Sequence, residues 1–170
     1  ESEYIIITKT SSKNRSYIPT TIVEPEVIIN NSSLFIEDSN MYHFGVLNSE
    51  MHMTWMRYTG GRLKSDYRYS NQIVYNNFPW PDSPGKKHRN IISKLAQKVL
   101  DKRRPYLDDG NTLADLYDPL AMPPDLVDAH RELDRAVDRA YRPQPFTTET
   151  NRVSFLFDRY EEITNALFAT

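Results

Sequence analysis

The sequence predicts an α+β protein: a mixed, strand-rich first half to residue 82 and an all-α second half, residues 83–170. Three observations carry this. Short β-branched and aromatic runs, broken by Asn, Ser and Pro, fill the first half. Apolar residues recur at helical spacing in the second. Between them Phe78-Pro79-Trp80-Pro81 ends one texture before Ser83-Pro84 opens the other.

In order, Tyr4, Ile5, Ile6, Ile7 and Thr8 make a buried-strand pattern, and the polar residues 9–16 make a loop. Val27-Ile28-Ile29 and Ser33-Leu34-Phe35-Ile36 flank Asn30-Asn31-Ser32 and predict a hairpin. Residues 42–49 are ambiguous. Residues 49–58 fit a short helix turning Met51, Trp55 and Tyr58 inward, and residues 72–75 a further strand. Ser83 is a plausible helix cap with Pro84 in the first turn. Ile91, Ile92, Leu95 and Val99 then share a face opposite Lys94, Lys98 and Lys102. Thr112 and Asp115 form a capping-box pattern before Pro119. Pro123-Pro124 starts a longer helix with Leu126, His130, Leu133, Val137 and Ala140 or Tyr141 buried, stopped by Pro143 and Pro145. Residues 151–168 form the last helix, with Val153, Phe155, Leu156, Tyr160, Ile163 and Leu167 as its apolar set.

Composition narrows the function class. The chain has 170 residues, 39% hydrophobic and 26% charged, which supports one large or two small packed domains. A formal charge of -2 places any nucleic-acid surface in local clusters. No apolar run reaches membrane-spanning length, so no membrane partner is expected. The absence of Cys rules out thiolate metal sites and fits a reducing cytoplasm. Opening on Glu1-Ser2-Glu3-Tyr4 and running at once into Ile5, the chain reads as a piece of a longer polypeptide.

Charge is clustered. Residues 9–23 hold Lys9, Lys13 and Arg15 without an acid, and residues 51–70 hold Arg57, Arg62, Lys64 and Arg68 against Asp66. Residues 86–104 hold eight cations against Asp101, and two readings stand: a DNA-facing helix, or a solvated face balanced by a neighbouring helix. The alternating charges of residues 125–142 read as a surface laced with ion pairs, each worth little.

Catalytic patterns are missing. His43, His52, His88 and His130 lack metal-ligand spacing, and His130 sits on an apolar stripe as a core residue would. There is no nucleophile elbow or P-loop. No lysine follows an acid by two residues, which excludes that nuclease signature. Asn76-Asn77-Phe78-Pro79-Trp80 differs in order from the base-holding tetrapeptide of adenine methyltransferases, where two prolines set the loop. The fragment itself reads as a non-enzyme.

GRLKSDYRYSNQIVYNNFPWP, residues 61–81, carries the strongest signal, with Ser16-Tyr17-Ile18-Pro19, Tyr42-His43-Phe44-Gly45 and Met51-His52-Met53-Thr54-Trp55 before it. These resemble the closing part of the target recognition domain of MmeI-type (type IIL) restriction-modification enzymes and related adenine-N6 DNA methyltransferases. LADLYDPLAMPPDLVDAHRELDRAVDRAY, residues 113–141, is similar to the helical C-terminal domain of the same family. The resemblance implies a recognition module whose partners are double-stranded DNA and the methyltransferase domain upstream, in a cytoplasmic, nucleoid-associated bacterial enzyme. The family's cofactor is S-adenosylmethionine, whose binding loop has no counterpart here, so no cofactor is expected in this fragment and no metal. The resemblance places base-reading residues in loops, and His52, Arg57, Tyr58 and Thr59 are the candidates, Arg57 being suited to bidentate contact with guanine. Lys9, Lys13, Arg15, Arg62, Lys64, Arg68, Lys94 and Lys98 are candidates for the DNA backbone. Arg62 and Arg68 pair equally well with Asp66. Trp55, Phe78 and Trp80 read as core or joint residues. Two other functions stay open: a scaffold bracing the catalytic domain, and single-strand or RNA binding through Tyr67, Tyr69 and Tyr75.

Overall fold

The computed structural model describes residues 3–27 and 30–168. Two small antiparallel sheets lead the chain. In the first, β1 (Tyr4–Thr8) lies between β3 (Thr20–Val23) and β4 (Ser33–Ile36). Ile5 opposes Ile22 and Ile36, and Ile7 opposes Thr20 and Leu34. The two-residue period therefore sends Ile5 and Ile7 into the core together. In the second sheet β2 (Thr10–Ser11) and β5 (Gly61–Leu63) flank β6 (Asp66–Arg68). Lys9 is the hinge between the sheets, its N–H donating to the Ser32 carbonyl at 2.9 Å and its own carbonyl accepting from Tyr69 N–H at 2.8 Å.

β4 pairs with β1, and of the hairpin expected over residues 27–36, Ile28 and Ile29 lie outside the described residues. Residues 41–47 and 50–59 are helical. Asn40 and His43 form a capping box for α1 (Met41–Leu47), and the Ser49 hydroxyl caps α2 (Glu50–Thr59). Met51 and Trp55 point inward as expected, whereas Tyr58 faces solvent. The strand expected at residues 72–75 is a π-helical turn, Asn71–Tyr75, capped by Ser70. Tertiary contact overrides β-propensity there: the turn buries Val74 and presents its carbonyl to the Trp55 indole N–H at 3.0 Å.

The helical half holds α3 (Lys86–Asp108), α4 (Leu113–Leu116), α5 (Pro124–Tyr141) and α6 (Glu149–Phe168). Gly85, not Ser83, is the N-cap of α3. The buried face of α3 is Ile92, Ala96, Val99 and Arg103, with Ile91 turned out. Of the apolar set on α6 only Leu156 is fully buried. The capping box of Thr112 and Asp115 forms as expected.

The two halves share one core. Phe44, Val46, Met51 and Trp55 pack with Ile92, Val99, Leu133 and Leu156. Gly45 makes this approach close. A Cβ there would lie 2.7 Å from Ile92 Cγ2 and 3.1 Å from Ala96 Cβ, so α1 meets α3 only without a side chain.

Candidate nucleic-acid interface

The four expected base readers sit on a helix rather than a loop, and the helix disperses them. His52 is 1% exposed. Its Nε2 lies 2.9 Å from the Tyr69 hydroxyl and its ring meets Phe78 edge-on at 4.6 Å. Burial pushes its pKa down to about 3, so the imidazole is neutral. This corrects the expectation for His52, which is a core residue.

Arg57 points back into the protein. Its Nη1 donates to Glu50 Oε1 at 2.6 Å and Glu149 Oε1 at 3.2 Å, and its Nη2 to Glu50 Oε2 and the Ser16 carbonyl, both at 3.3 Å. Burial alone would lower its pKa, but the two glutamates outweigh that and raise it. The guanidinium expected on guanine is thus occupied inside. Thr59 donates its hydroxyl to the Trp55 carbonyl at 2.8 Å. Tyr58, 56% exposed, is the member of the set that reaches outward.

The outward cations gather on the second sheet. In the β5–β6 hairpin, Arg68 stands opposite Gly61 on one side and Thr10 on the other, and all three are exposed. Arg62, opposite Tyr67, lays its guanidinium 3.9 Å above that ring. Lys64 sits at the hairpin tip with φ 56, a left-handed conformation that favours Gly. Among the described residues, Lys13, Arg62, Lys64 and Arg68 form no ion pair, and the alternative pairing of Arg62 and Arg68 with Asp66 is not made. Lys13 is exposed on the loop after β2. Arg15 departs from the backbone-contact expectation: half-buried, it donates from Nη2 to the Ala114 carbonyl at 3.3 Å and ties its loop to α4.

Beside this sheet opens a cleft of about 600 Å³. Asn30, Asn31, Asn71 and Asn76 line it with Lys9 and Tyr75. Lys9 donates to the Asn31 carbonyl at 2.6 Å, which holds its ammonium at the rim. A side-chain amide offers a donor and an acceptor side by side, the pairing that matches an adenine edge. Sequence reasoning did not select these residues. Asn30, Asn31 and Asn76 leave a trace in the Asn-Asn pairs at 30–31 and 76–77, which read equally well as turns, and Asn71 leaves none.

The basic cluster of α3 separates by partner. Lys98 meets Glu132 at 2.7 Å, which turns it from a free backbone contact into half of an ion pair. Lys102 meets Asp125 at 3.3 Å and Arg104 meets Asp101 at 3.6 Å. Lys94 is exposed and unpaired among the described residues. Arg103 is buried, donating to the Thr20 carbonyl at 2.6 Å, Asn48 Oδ1 at 3.0 Å and the Tyr117 hydroxyl at 2.7 Å. The Tyr117 hydroxyl also lies 2.6 Å from His130 Nε2, and His130 stacks on Tyr17 with centroids 4.0 Å apart. His130 is therefore core, as its apolar stripe predicts, with burial lowering its pKa to about 3.

The helical half also fixes α2, from which the hairpin springs. Asp134 on α5 accepts the Glu50 N–H at 2.7 Å and the Tyr17 hydroxyl at 2.6 Å, capping α2 from across the joint. Trp55 packs on Phe157 and Tyr160 of α6, with centroids 5.3 and 5.6 Å apart. Among the described residues no cluster of acids and histidines is arranged to hold a metal. No described helix is long and apolar enough to cross a membrane.

Comparison with known proteins agrees with this organisation. Residues 1–82 match the family model described as MmeI, target recognition domain, and residues 84–168 that described as MmeI, C-terminal domain. A curated relative from Bacillus subtilis (strain 168), DNA methyltransferase A, is 41% identical over 160 residues, covering 94% of this chain and 18% of its own length. A solved structure of the type IIL restriction-modification enzyme MmeI in complex with DNA is 42% identical with a TM-score of 0.91. That match covers 97% of this chain and 22% of the enzyme, so the chain spans about a fifth of either relative. Matched over both halves and alike in fold throughout, the chain belongs to the MmeI family, its target recognition domain running directly into its C-terminal domain.

Proposed function

We propose that this chain is the sequence-specific duplex-DNA recognition module of a restriction-modification methyltransferase. The observation that carries the reading is the set of exposed cations on the β5–β6 hairpin, unpaired among the described residues, beside an amide-lined cleft. Arg62, Lys64, Arg68 and Lys13 supply phosphate contacts. Tyr58 and the cleft amides of Asn31 and Asn76 supply the base contacts, in place of His52 and Arg57, while Asn30 and Asn71 spend their amide oxygens on Ser32 and the Gln72 N–H. The likeness to an enzyme solved with DNA supports the same assignment. Single-strand stacking loses its basis, because Tyr67 and Tyr69 are buried.

In the intact enzyme, S-adenosylmethionine and methyl transfer to adenine N6 belong to the upstream methyltransferase domain, and the present residues do not fit the cofactor. Gly45 is closed by Ile92 and Ala96, and Gly60 and Gly61 lead into the hairpin, so these glycines serve packing and turns. The module grips the duplex while the target base is flipped elsewhere.

The test is methylome sequencing of cells carrying the full-length gene with single alanines at Tyr58, Asn31 and Asn76. A motif relaxed at one position links residue to base. An unchanged motif for all three overturns this set of readers.

A further inference from the structure

We infer that the cleft between α3 and α5 is a second phosphate-backbone site, holding duplex DNA outside the stretch read by the sheet. The argument rests on how charge changes along the seam. The two helices run antiparallel, and ion pairs join their surfaces at Lys102–Asp125 and Lys98–Glu132. Toward the start of α3 this complementarity reverses. There Lys87 and His88 share a cleft of about 360 Å³ with Arg135 and Arg139, over a floor of Ile91 and Leu95. The cleft's acid, Glu132, pairs with Lys98 at 2.7 Å, a contact that with nearby Arg135 holds its pKa down, and Asp138 on α5 is held by Arg152 at 2.6 Å. Among the described residues, Lys87, Arg135 and Arg139 form no ion pair.

Cations facing cations across an open cleft repel each other, and a bridging anion removes that cost. An adjoining cleft adds no free cation among the described residues, since Arg142 lies 3.8 Å over the Phe146 ring there beside Asp138, so Lys87, Arg135 and Arg139 are the row that a chain of phosphates can bridge. A phosphodiester backbone supplies such a chain at regular spacing. This site lies apart from the β5–β6 hairpin, and the inference rests on the reading of the chain as a duplex-DNA binder.

The experiment compares the full chain with R135A/R139A and with R62A/R68A, each checked for an unchanged melting temperature. Affinity for a duplex is measured across salt concentrations, alongside titration of the His88 ring signals with inorganic pyrophosphate. We expect R135A/R139A to flatten the plot of log affinity against log salt by about two, at roughly 0.9 per lost contact. Pyrophosphate should move the His88 signals in the parent chain and not in that variant. An unchanged salt slope with R135A/R139A overturns the site, as does a His88 response to pyrophosphate with none to duplex. Loss of slope in R135A/R139A but not in R62A/R68A sustains the cleft while removing the hairpin contacts. A duplex that fails to bind the parent chain overturns both.

Discussion

Replacing Arg57 by alanine separates a base reader from a brace. The structure gives the side chain a two-pronged contact with Glu50 at 2.6 and 3.3 Å, a contact with Glu149 at 3.2 Å and one with the Ser16 carbonyl at 3.3 Å. Its side chain is 18% exposed and that of Glu50 22%, so their pairing is sheltered and is worth about 2–3 kcal/mol. Glu149 is 42% exposed, and its contact adds about 1 kcal/mol at most. The sum is about 2–4 kcal/mol. At about 2–4 °C per kcal/mol for a chain of this size, the melting temperature should fall by roughly 5–15 °C. Binding should weaken alike on every sequence, because the brace holds α2 and all that follows it. Thermal unfolding of the variant and its affinities for single-base-pair substitutions of the cognate site measure both effects. An unchanged melting temperature, with discrimination lost by about 1–3 kcal/mol at one base pair, would refute the reasoning and return Arg57 to the DNA.

Three further expectations rest on individual residues. Lys64→Gly should raise hairpin stability by about 1 kcal/mol by relieving the left-handed backbone, while lowering the salt slope of DNA binding by about 0.9; a less stable variant would contradict the strain. Arg103→Met should cost about 2–4 kcal/mol in urea unfolding, since the Thr20 carbonyl and Asn48 Oδ1 lose a donor, whereas the exposed Arg104→Met should stay within about 0.5 kcal/mol; equal losses would refute the network. Asp134 tests linkage: its burial raises the folded pKa from 3.8 to about 7, so the fold favours the protonated acid. Its stabilising contribution is complete below about pH 4 and lost as pH rises through about 7. Wild type should therefore lose ground against Asp134→Asn over that window, by at most about 4 kcal/mol and less where water reaches the carboxylate. Parallel pH profiles of the urea midpoints would sink this.

The strand at residues 4–8, the capping box of Thr112 and Asp115, the prolines that open α5 and the apolar stripe through His130 were all legible in order of residues, because each depends on neighbours within a turn or two. So was the strand-rich half followed by the helical one. The π-helical turn at Asn71–Tyr75 was not, since its β-branched residues answer to Trp55, far away in sequence. The same limit governs the site. Local charge marked residues 51–70 and 86–104 as basic, and the sequence alone determined that Arg57, Lys98, Arg103 and Arg68 are cations.

Which of them face water was decided only by tertiary structure. Arg57 meets Glu149, Lys98 meets Glu132, Arg103 meets Thr20 and Asn48, and Arg68 meets no acid among the described residues. An ionic side chain is available to a phosphate only if no nearer partner has taken it, and these partners lie 34 to 92 residues away, joined by Glu50 at 7 residues from Arg57 and Tyr117 at 14 from Arg103. Composition fixes how much charge the chain carries; folding assigns each charge to a protein acid, a buried carbonyl or the solvent-facing surface.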